Sequence, residues 1–191
     1  LVVVDDASTD GIARVVTEWG ERHADNGFAV SILSEPMRGA VHARNRGLRA
    51  VRGDKLMFFD SDDTMRPDLV ETAMRTFREN PDAQIVYWRN ETINLDGSSF
   101  SPHFSTHNVL RNHIFHSLLS TQNYAVRKSF IENAGGWASN MTVWDDWELG
   151  VRLLLTSPEV VGINRILVDK YAQAESITGK DFTSKEGRWE K

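Results

Sequence analysis

The sequence contains no cysteine, which excludes a disulfide framework and thiolate chemistry. Its apolar runs, such as residues 56–59, are far too short to cross a bilayer. Basic residues form no cluster and the net charge is −5, so nucleic-acid binding is not predicted, because phosphate recognition needs clustered Lys and Arg. The 191 residues do contain 40% hydrophobic and 26% charged residues, which is typical of one folded globular domain.

The chain begins inside an apolar run and without a Met. Residues 1–4 form a continuous apolar stretch that predicts a buried strand. A buried parallel strand needs neighbours on both sides. We therefore expect preceding residues that supply a parallel neighbour to this strand.

Short apolar runs alternate with amphipathic helical patterns along the chain. This alternation predicts an α/β fold, with a mostly parallel sheet flanked by helices. The predicted strands are 1–4, 28–33, 56–59, 85–88, 123–126 and 160–168. The predicted helices are one that follows Gly11, then 40–51, one with Pro67 in its first turn, 109–119 and 143–155, and 98–108 is predicted to be a polar loop. Ligands in such sheets collect at the carboxyl ends of the strands, where two acidic clusters lie.

The larger acidic cluster places Asp60, Asp62 and Asp63 directly after a predicted strand. Two like charges about 4 Å apart repel by roughly 4 kcal/mol at an effective dielectric near 20. A divalent cation would relieve that repulsion, and Mg²⁺ typically takes one or two carboxylates together with substrate phosphates. A solvated turn in which Asp side chains cap backbone N–H groups would explain the same pattern.

The second acidic cluster, residues 5–10, follows the first predicted strand. Ser8, Thr9 and Asp10 are favoured N-cap residues for the helix that begins near Gly11. Asp5 and Asp6 come too early for that cap, so they are better placed for a ligand.

Five segments, in order along the chain, resemble motifs of the family 2 glycosyltransferases. They are VVDDASTD at 3–10, GAVHARNRG at 39–47, FDSDDTMRP at 59–67, VR at 126–127 with GGW at 135–137, and WDDWEL at 144–149. The resemblance implies a GT-A fold, a Rossmann-like mixed and mostly parallel sheet flanked by helices. It further implies one domain over 1–191, with a nucleotide-binding half at 1–90 and an acceptor and catalytic half at 91–191. The family's first strand and the helix after it have no counterpart in this sequence.

The resemblance implies a nucleotide and metal site. Asp6 would hydrogen-bond the base, and Arg44 would lie beside the base or the phosphates. Asp60 would contact the ribose or the metal, and Asp62 would ligate Mn²⁺ or Mg²⁺ directly. A helix-surface arginine is the alternative interpretation of Arg44.

The resemblance also implies a general base, Asp146, at the N-terminal end of a helix and facing a pocket formed by Asp6 and Asp62. Residue chemistry alone leaves Asp145 equally eligible. Asp145, Trp147 and Trp137 are candidates for acceptor binding or a supporting role, although aromatic residues are usually buried for their area.

The implied activity is sugar transfer from a nucleotide-diphosphate sugar to an acceptor hydroxyl, of a saccharide or another molecule. A UDP-sugar is favoured as donor, and one base with direct displacement implies inversion at the anomeric carbon. The setting would be synthesis of a cell-surface polysaccharide or glycan, in the cytoplasm or at the inner face of the membrane. A peripheral association with the membrane would not be visible in this sequence.

Three other interpretations remain open at the level of sequence. Asp60, Asp62 and Thr64 also fit the Asp-x-Asp-x-Thr motif of haloacid-dehalogenase-type phosphatases, with Asp60 as nucleophile. A GT-A-like binding module without catalysis is the second. Third, His113 and His116 have the helical i, i+3 spacing of a metal-binding pair, although a surface or acceptor-side role is favoured for them.

Overall fold

A computed structural model describes residues 1–173 of the chain. Its strands are β1 (Val2–Asp5), β2 (Ser31–Ser34), β3 (Lys55–Leu56), β4 (Thr64–Met65), β5 (Ile85–Ile93), β6 (Ser99–Phe100), β7 (Tyr124–Arg127) and β8 (Val160–Tyr171). Its helices are α1 (Ile12–His23), α2 (Ala40–Ala50), α3 (Leu69–Glu79), α4 (Val109–His116), α5 (Lys128–Asn133) and α6 (Asp145–Leu154), with one 3-10 turn at Ala24–Asn26.

The chain folds into two compact units. Unit 1 comprises Leu1–Leu56 together with Lys128–Asp145. Unit 2 comprises Met57–Arg127 and the described part of the chain from Asp146 onward. The predicted division of roles between residues 1–90 and 91–191 stays a prediction.

Unit 1 is built on a parallel pair, β1 and β2, in register from Val2 opposite Ser31 to Asp5 opposite Ser34. Parallel strands need a crossover, and α1 supplies it. Lys128 joins the later segment to this unit, because its backbone N–H donates to the carbonyl of Asp54 and its Nζ to that of Val51.

The apolar side chains of α1 lie on one face, as their spacing predicts, but that face is not covered. Val15 is 53% exposed, and Ile12 and Trp19 are also exposed. Trp19 packs locally, stacked on His23 and edge-on to Phe28. The periodicity therefore predicted the helix and its face, but not whether the face is buried.

Unit 2 contains a sheet centred on β5. Strand β8 pairs with β5 in parallel over nine residue pairs, whereas β7 and β6 pair with β5, and β4 with β8, in antiparallel ladders of two or three residue pairs. The turn that joins β5 to β6 contains Asp96-Gly97, residue types that favour turns. The mixed sheet with its long parallel ladders confirms the predicted fold class.

The core of unit 2 forms where α3 packs on this sheet. Leu69, Ala73 and Phe77 recur every four residues, so they share one face of α3 and are buried there. They pack with sheet residues Val86, Trp88, Ala125, Leu167 and Val168. Val70, on the same helix, is half exposed. The helix begins two residues after Pro67, which was predicted to lie in its first turn.

Three sequence-based assignments differ from the structure. The strand predicted at 56–59 is only Lys55–Leu56 in the structure. Met57 and Phe59 pack their apolar side chains against the core of unit 2 without belonging to a strand. The loop predicted at 98–108 contains β6. Helix α5 was not predicted, since six residues with one buried side chain, Ile131, give almost no periodic signal.

No helix within residues 1–173 combines the length and the apolar character that crossing a bilayer requires.

Candidate active site

Asp6 lies just after β1 in unit 1, and its carboxylate is already engaged by backbone. Both of its oxygens are 3.0 Å from the N–H of Gly39, which donates to them. Gly39 is the N-cap of α2 and has φ of 128°, a conformation that favours glycine. The carboxylate therefore sits at the N-terminus of α2, where the helix dipole stabilises negative charge. Its contact with a nucleotide base stays a prediction.

Neighbouring Asp side chains accept hydrogen bonds from backbone N–H groups of the turn after β1. Asp5 Oδ1 accepts the N–H of Ser8, and Asp10 Oδ1 accepts the N–H of Ile12, the first residue of α1. Asp10 therefore closes the turn that leads into α1. The N-cap itself is Gly11, so the N-cap role predicted for Ser8, Thr9 and Asp10 is wrong.

Arg44, on α2, is paired within unit 1. Its Nη1 donates to Asp145 Oδ2 in an ion pair, and the two side chains are only 16% and 17% exposed. Its Cζ also lies 4.6 Å from the ring centroid of Trp137. The structure thus brings together three of the predicted site residues, Arg44, Asp145 and Trp137.

Asn45, the next residue of α2, was not among the predicted site residues. Its Nδ2 donates to the carbonyl of Trp137 at 2.8 Å, and its Oδ1 accepts the N–H of Trp137 at 3.0 Å. Trp137 is 2% exposed, so it is a packing residue of unit 1. Nothing in the local sequence of Asn45 signals a partner 92 residues away.

The acidic turn of unit 2 joins Asp60, Asp62 and Asp63. Asp63 is held from two sides, because Gln122 Nε2 donates to its Oδ2 and the N–H of Tyr171 donates to its Oδ1 at 3.0 Å. Burial raises the pKa of the Asp63 carboxyl above its ordinary value, and the charges of Asp62 and Asp60 add to that rise. Asp62 is exposed and Asp60 half-buried.

Gln122 is the functional candidate that the sequence missed. It is 1% exposed and lies just before β7. Its position between the helix predicted at 109–119 and the strand predicted at 123–126 gave no sign that its amide supports a carboxylate 59 residues earlier. Gln122 fixes Asp63, so Asp63 serves the shape of the turn.

The donor set of this turn fits a hard divalent cation. Oxygen ligands suit Mg²⁺ and Mn²⁺, and Asp60 with Asp62 would supply them. Within residues 1–173, no group of three or more His, Cys, Asp or Glu side chains could hold a metal ion by itself. A cation held by two carboxylates and completed by substrate phosphates agrees with that finding.

Asp146 is the second residue of α6 and follows Asp145, the first. Its Oδ1 accepts the N–H of Trp147 at 2.7 Å, and the side chain is half-buried. A carboxylate in the first turn of a helix is stabilised as an anion by the helix dipole. Trp147 is half-buried, and its Nε1 donates to the carbonyl of Ile114 on α4.

The interpretation of His113 and His116 as a metal pair is wrong for His113. This side chain is fully buried in unit 2. Its Nδ1 accepts the N–H of Leu119 at 3.1 Å, so Nε2 carries the proton and donates to the carbonyl of Trp147 at 3.0 Å. Both ring nitrogens are used, so neither is available to a metal.

Comparison with protein families identifies the class. Residues 1–132 match the model described as "Glycosyl transferase family 2". The chain therefore belongs to glycosyl transferase family 2, as its motifs predicted. Because the chain belongs to this family, the interpretation of Asp60 as a phosphatase nucleophile has no support.

Several characterised or named proteins are similar over part of their length. An uncharacterized glycosyltransferase of Haemophilus influenzae is 26% identical over 162 residues, which are 81% of this chain and 51% of that protein. Chondroitin synthase of Escherichia coli is 33% identical over 99 residues, 52% of this chain and 14% of the synthase. Hyaluronan synthase of Pasteurella multocida is 32% identical over 97 residues, 50% of this chain and 10% of the synthase. The chain spans about half of the first relative and much less of the others.

Solved structures confirm the GT-A fold. S. aureus TarS 1–349, in complex with UDP-GlcNAc, superposes with a TM-score of 0.74 at 17% identity, over 92% of this chain and 50% of that one. The mannosyltransferase PcManGT from Pyrobaculum calidifontis, in complex with GDP-Man and Mn²⁺, gives a TM-score of 0.69 at 21% identity, over 95% of this chain and 50% of that one.

Proposed function

We propose that this chain transfers a sugar from a nucleotide-diphosphate sugar to an acceptor hydroxyl with the help of a divalent metal. The observation that carries the proposal is the acidic turn of this family 2 chain. Gln122 and Tyr171 hold the carboxylate of Asp63 in that turn. The motif at 59–67 assigns Asp60 and Asp62 to the metal and the donor. Asp6 is assigned to the nucleotide base.

The chemistry requires one proton transfer. The acceptor oxygen attacks the anomeric carbon while the bond from that carbon to the diphosphate oxygen breaks, and its electron pair leaves with the nucleoside diphosphate. Asp146 is the proposed base that takes the hydroxyl proton, a contribution of about 10²- to 10⁴-fold to the rate. Direct displacement at one carbon inverts its configuration.

Mn²⁺ or Mg²⁺ is the proposed cofactor, held by Asp60 and Asp62. When bound, such an ion neutralises the negative charge that grows on a diphosphate leaving group. Holding an ion also removes the cost of placing like charges side by side in the turn.

The names of similar proteins support a role in polysaccharide or glycan synthesis, since two of them are chondroitin and hyaluronan synthases. A UDP-sugar is our first choice of donor, and UDP-GlcNAc is bound by TarS 1–349. The cytoplasmic location and the membrane inner face stay predictions.

The experiment is nucleotide-sugar turnover, measured as donor hydrolysis or transfer over a panel that includes UDP-GlcNAc and GDP-mannose. We expect activity with Mn²⁺ or Mg²⁺, loss of activity in excess EDTA, and recovery when the metal is restored. Asp62→Asn should lose metal-supported turnover, whereas Asp82→Asn, at an exposed position of unit 2, should not.

Two outcomes contradict the proposal in different ways. Full activity in excess EDTA would remove the metal from the mechanism. Donor binding without any turnover would instead favour the binding-module alternative.

A further inference from the structure

The motif at 39–47 was expected to serve the nucleotide, yet the structure gives two of its side chains a different set of partners. Arg44 and Asn45 both contact the segment 137–145 of unit 1. We propose that Arg44 is a positioning residue, which fixes Asp145 and thereby the first turn of α6, where the proposed base Asp146 lies.

The side chain of Arg44 has two partners in unit 1. The Arg44 guanidinium is held between the Asp145 carboxylate and the face of the Trp137 ring. Both charged side chains are mostly removed from solvent, so screening by salt is weak and the direction of the guanidinium is restrained. A planar guanidinium with an ion pair on one side and a stacked ring on another has little freedom.

Trp137, whose ring contacts Arg44, is itself anchored to α2. Asn45 binds both the N–H and the carbonyl of Trp137. Gly136, just before it, packs so closely that an added Cβ would lie 2.7 Å from Asn45 Oδ1. The platform against which Arg44 rests is therefore fixed to α2 itself.

The backbone that leads into α6 has an unusual conformation. Trp144, directly before Asp145, has φ of 60°, in the left-handed region that bulky residues rarely adopt. Such a conformation persists only where the surroundings impose it. The ion pair of the next residue, Asp145, with Arg44 is a restraint of that kind, and it acts on the residue at which α6 begins.

The consequence concerns Asp146. Because it follows Asp145 in the same helical turn, a shift of Asp145 moves the carboxylate of the proposed base. A displacement of about 1 Å in a reacting group can cost about 10²-fold in rate. In this proposal Asp145 pairs with Arg44 and orients the first turn of α6, and Asp146 accepts the proton.

Hydrogen exchange tests the inference without any substrate. Arg44→Met removes the guanidinium and keeps a side chain of similar length. We expect faster amide exchange in a peptide covering 141–148, with unchanged exchange in β5. Arg46→Met is the matched control, because Arg46 is exposed on the same helix, and it should leave both peptides unchanged. Unchanged exchange at 141–148 in Arg44→Met would overturn the inference.

Kinetics supplies the second arm, and this arm rests on the proposed function. Arg44→Met should lower kcat for donor hydrolysis by about 10²-fold, while calorimetric Kd values for UDP and GDP with Mn²⁺ stay unchanged. A raised Kd for either nucleotide with kcat retained would show that Arg44 is a nucleotide contact and would overturn the inference. If the unmodified chain binds no nucleotide, the proposed function fails, and hydrogen exchange alone decides on Arg44.

A double-mutant cycle separates the pair from its members. If Arg44 and Asp145 act as one unit, Arg44→Met combined with Asp145→Asn should be no more damaging than Arg44→Met alone. Additive losses would contradict the pairing. Should Arg44→Met fail to fold, Arg44→Lys keeps the charge without the planar fork and is expected to show the same faster exchange at 141–148.

Discussion

At the scale of single residues, the two adjacent carboxylates at the start of α6 have different surroundings. Asp145 is paired with Arg44, and Asp146 accepts the N–H of Trp147 at 2.7 Å. A general base must be able to approach the acceptor hydroxyl, and the ion pair with Arg44 restrains the carboxylate of Asp145. This restraint favours the neighbouring Asp146 as the proposed base.

Asp146→Asn keeps the shape of the side chain but removes the proton acceptor. We expect kcat to fall by about 10²- to 10⁴-fold, with donor affinity nearly unchanged, because a base acts only in the transition state. Asp145→Asn should be milder, since the amide oxygen can still accept from Arg44. Single-turnover transfer by both variants is the measurement, with donor binding checked separately. Near-native transfer by Asp146→Asn, or a larger loss in Asp145→Asn, would refute the assignment.

His113 predicts a pH dependence of stability. Burial lowers the pKa of its imidazole below the ordinary value of 6.5. The unfolded chain therefore binds a proton near pH 6.5 that the folded chain takes only at lower pH. Stability from this group is complete above 6.5 and is lost as the pH falls through the lowered pKa.

The measurement is the free energy of unfolding in urea at about pH 7.5 and about pH 5.5. His113→Gln should show a smaller loss on acidification than the unmodified chain. His107→Gln, at an exposed position of the same unit, should keep the full loss. An equal loss in all three proteins would show that His113 does not carry the effect.

At the scale of elements, two helix glycines predict opposite effects of one substitution. An added Cβ at Gly150 of α6 would lie 2.2 Å from His113 Nε2, so Gly150→Ala should destabilise unit 2 by about 1–3 kcal/mol. At Gly47 of α2 the nearest atom is 3.5 Å away, an ordinary contact, so Gly47→Ala should stabilise by up to about 1 kcal/mol through helix propensity. Denaturant unfolding of the two variants checks both signs, and destabilisation by Gly47→Ala together with a neutral Gly150→Ala would contradict the packing described.

The sequence predicted elements well where apolar periodicity was strong. Helix α3 has three buried residues at intervals of four, and it was found with its face. The apolar pattern gave a wrong prediction at Phe59, which packs in the core without belonging to a strand. It gave no prediction for α5, because six residues are too few to show a helical period. For α1 the apolar pattern did not indicate that Val15 and its neighbours on the apolar face stay exposed.

The candidate site shows the same limit. Motif spacing predicted Asp6, Arg44 and Asp62 as site residues, and their roles toward a nucleotide and a metal stay predictions. Asn45, which binds Trp137, and Gln122, which binds Asp63, form contacts 92 and 59 residues apart in the chain. Such contacts depend on the three-dimensional fold, and a single sequence does not encode them in any local pattern.

At the scale of the whole molecule, family membership and fold agree, while the activity is a proposal. The matched relatives and structures are longer than this chain, which spans 51% of the Haemophilus influenzae protein and 50% of TarS 1–349. The central claim is therefore that the 191 residues themselves hold a nucleotide diphosphate through a metal.

Calorimetric titration of the chain with UDP-GlcNAc, UDP, GDP-mannose and GDP tests that claim most directly, in parallel with Mn²⁺ and with EDTA. We expect saturable binding of at least one nucleotide and its sugar in Mn²⁺. This binding should be lost in EDTA and strongly weakened in Asp62→Asn, but retained in Asp82→Asn. Absence of binding to every nucleotide in the presence of Mn²⁺, or equal binding in EDTA and in Asp62→Asn, would contradict it.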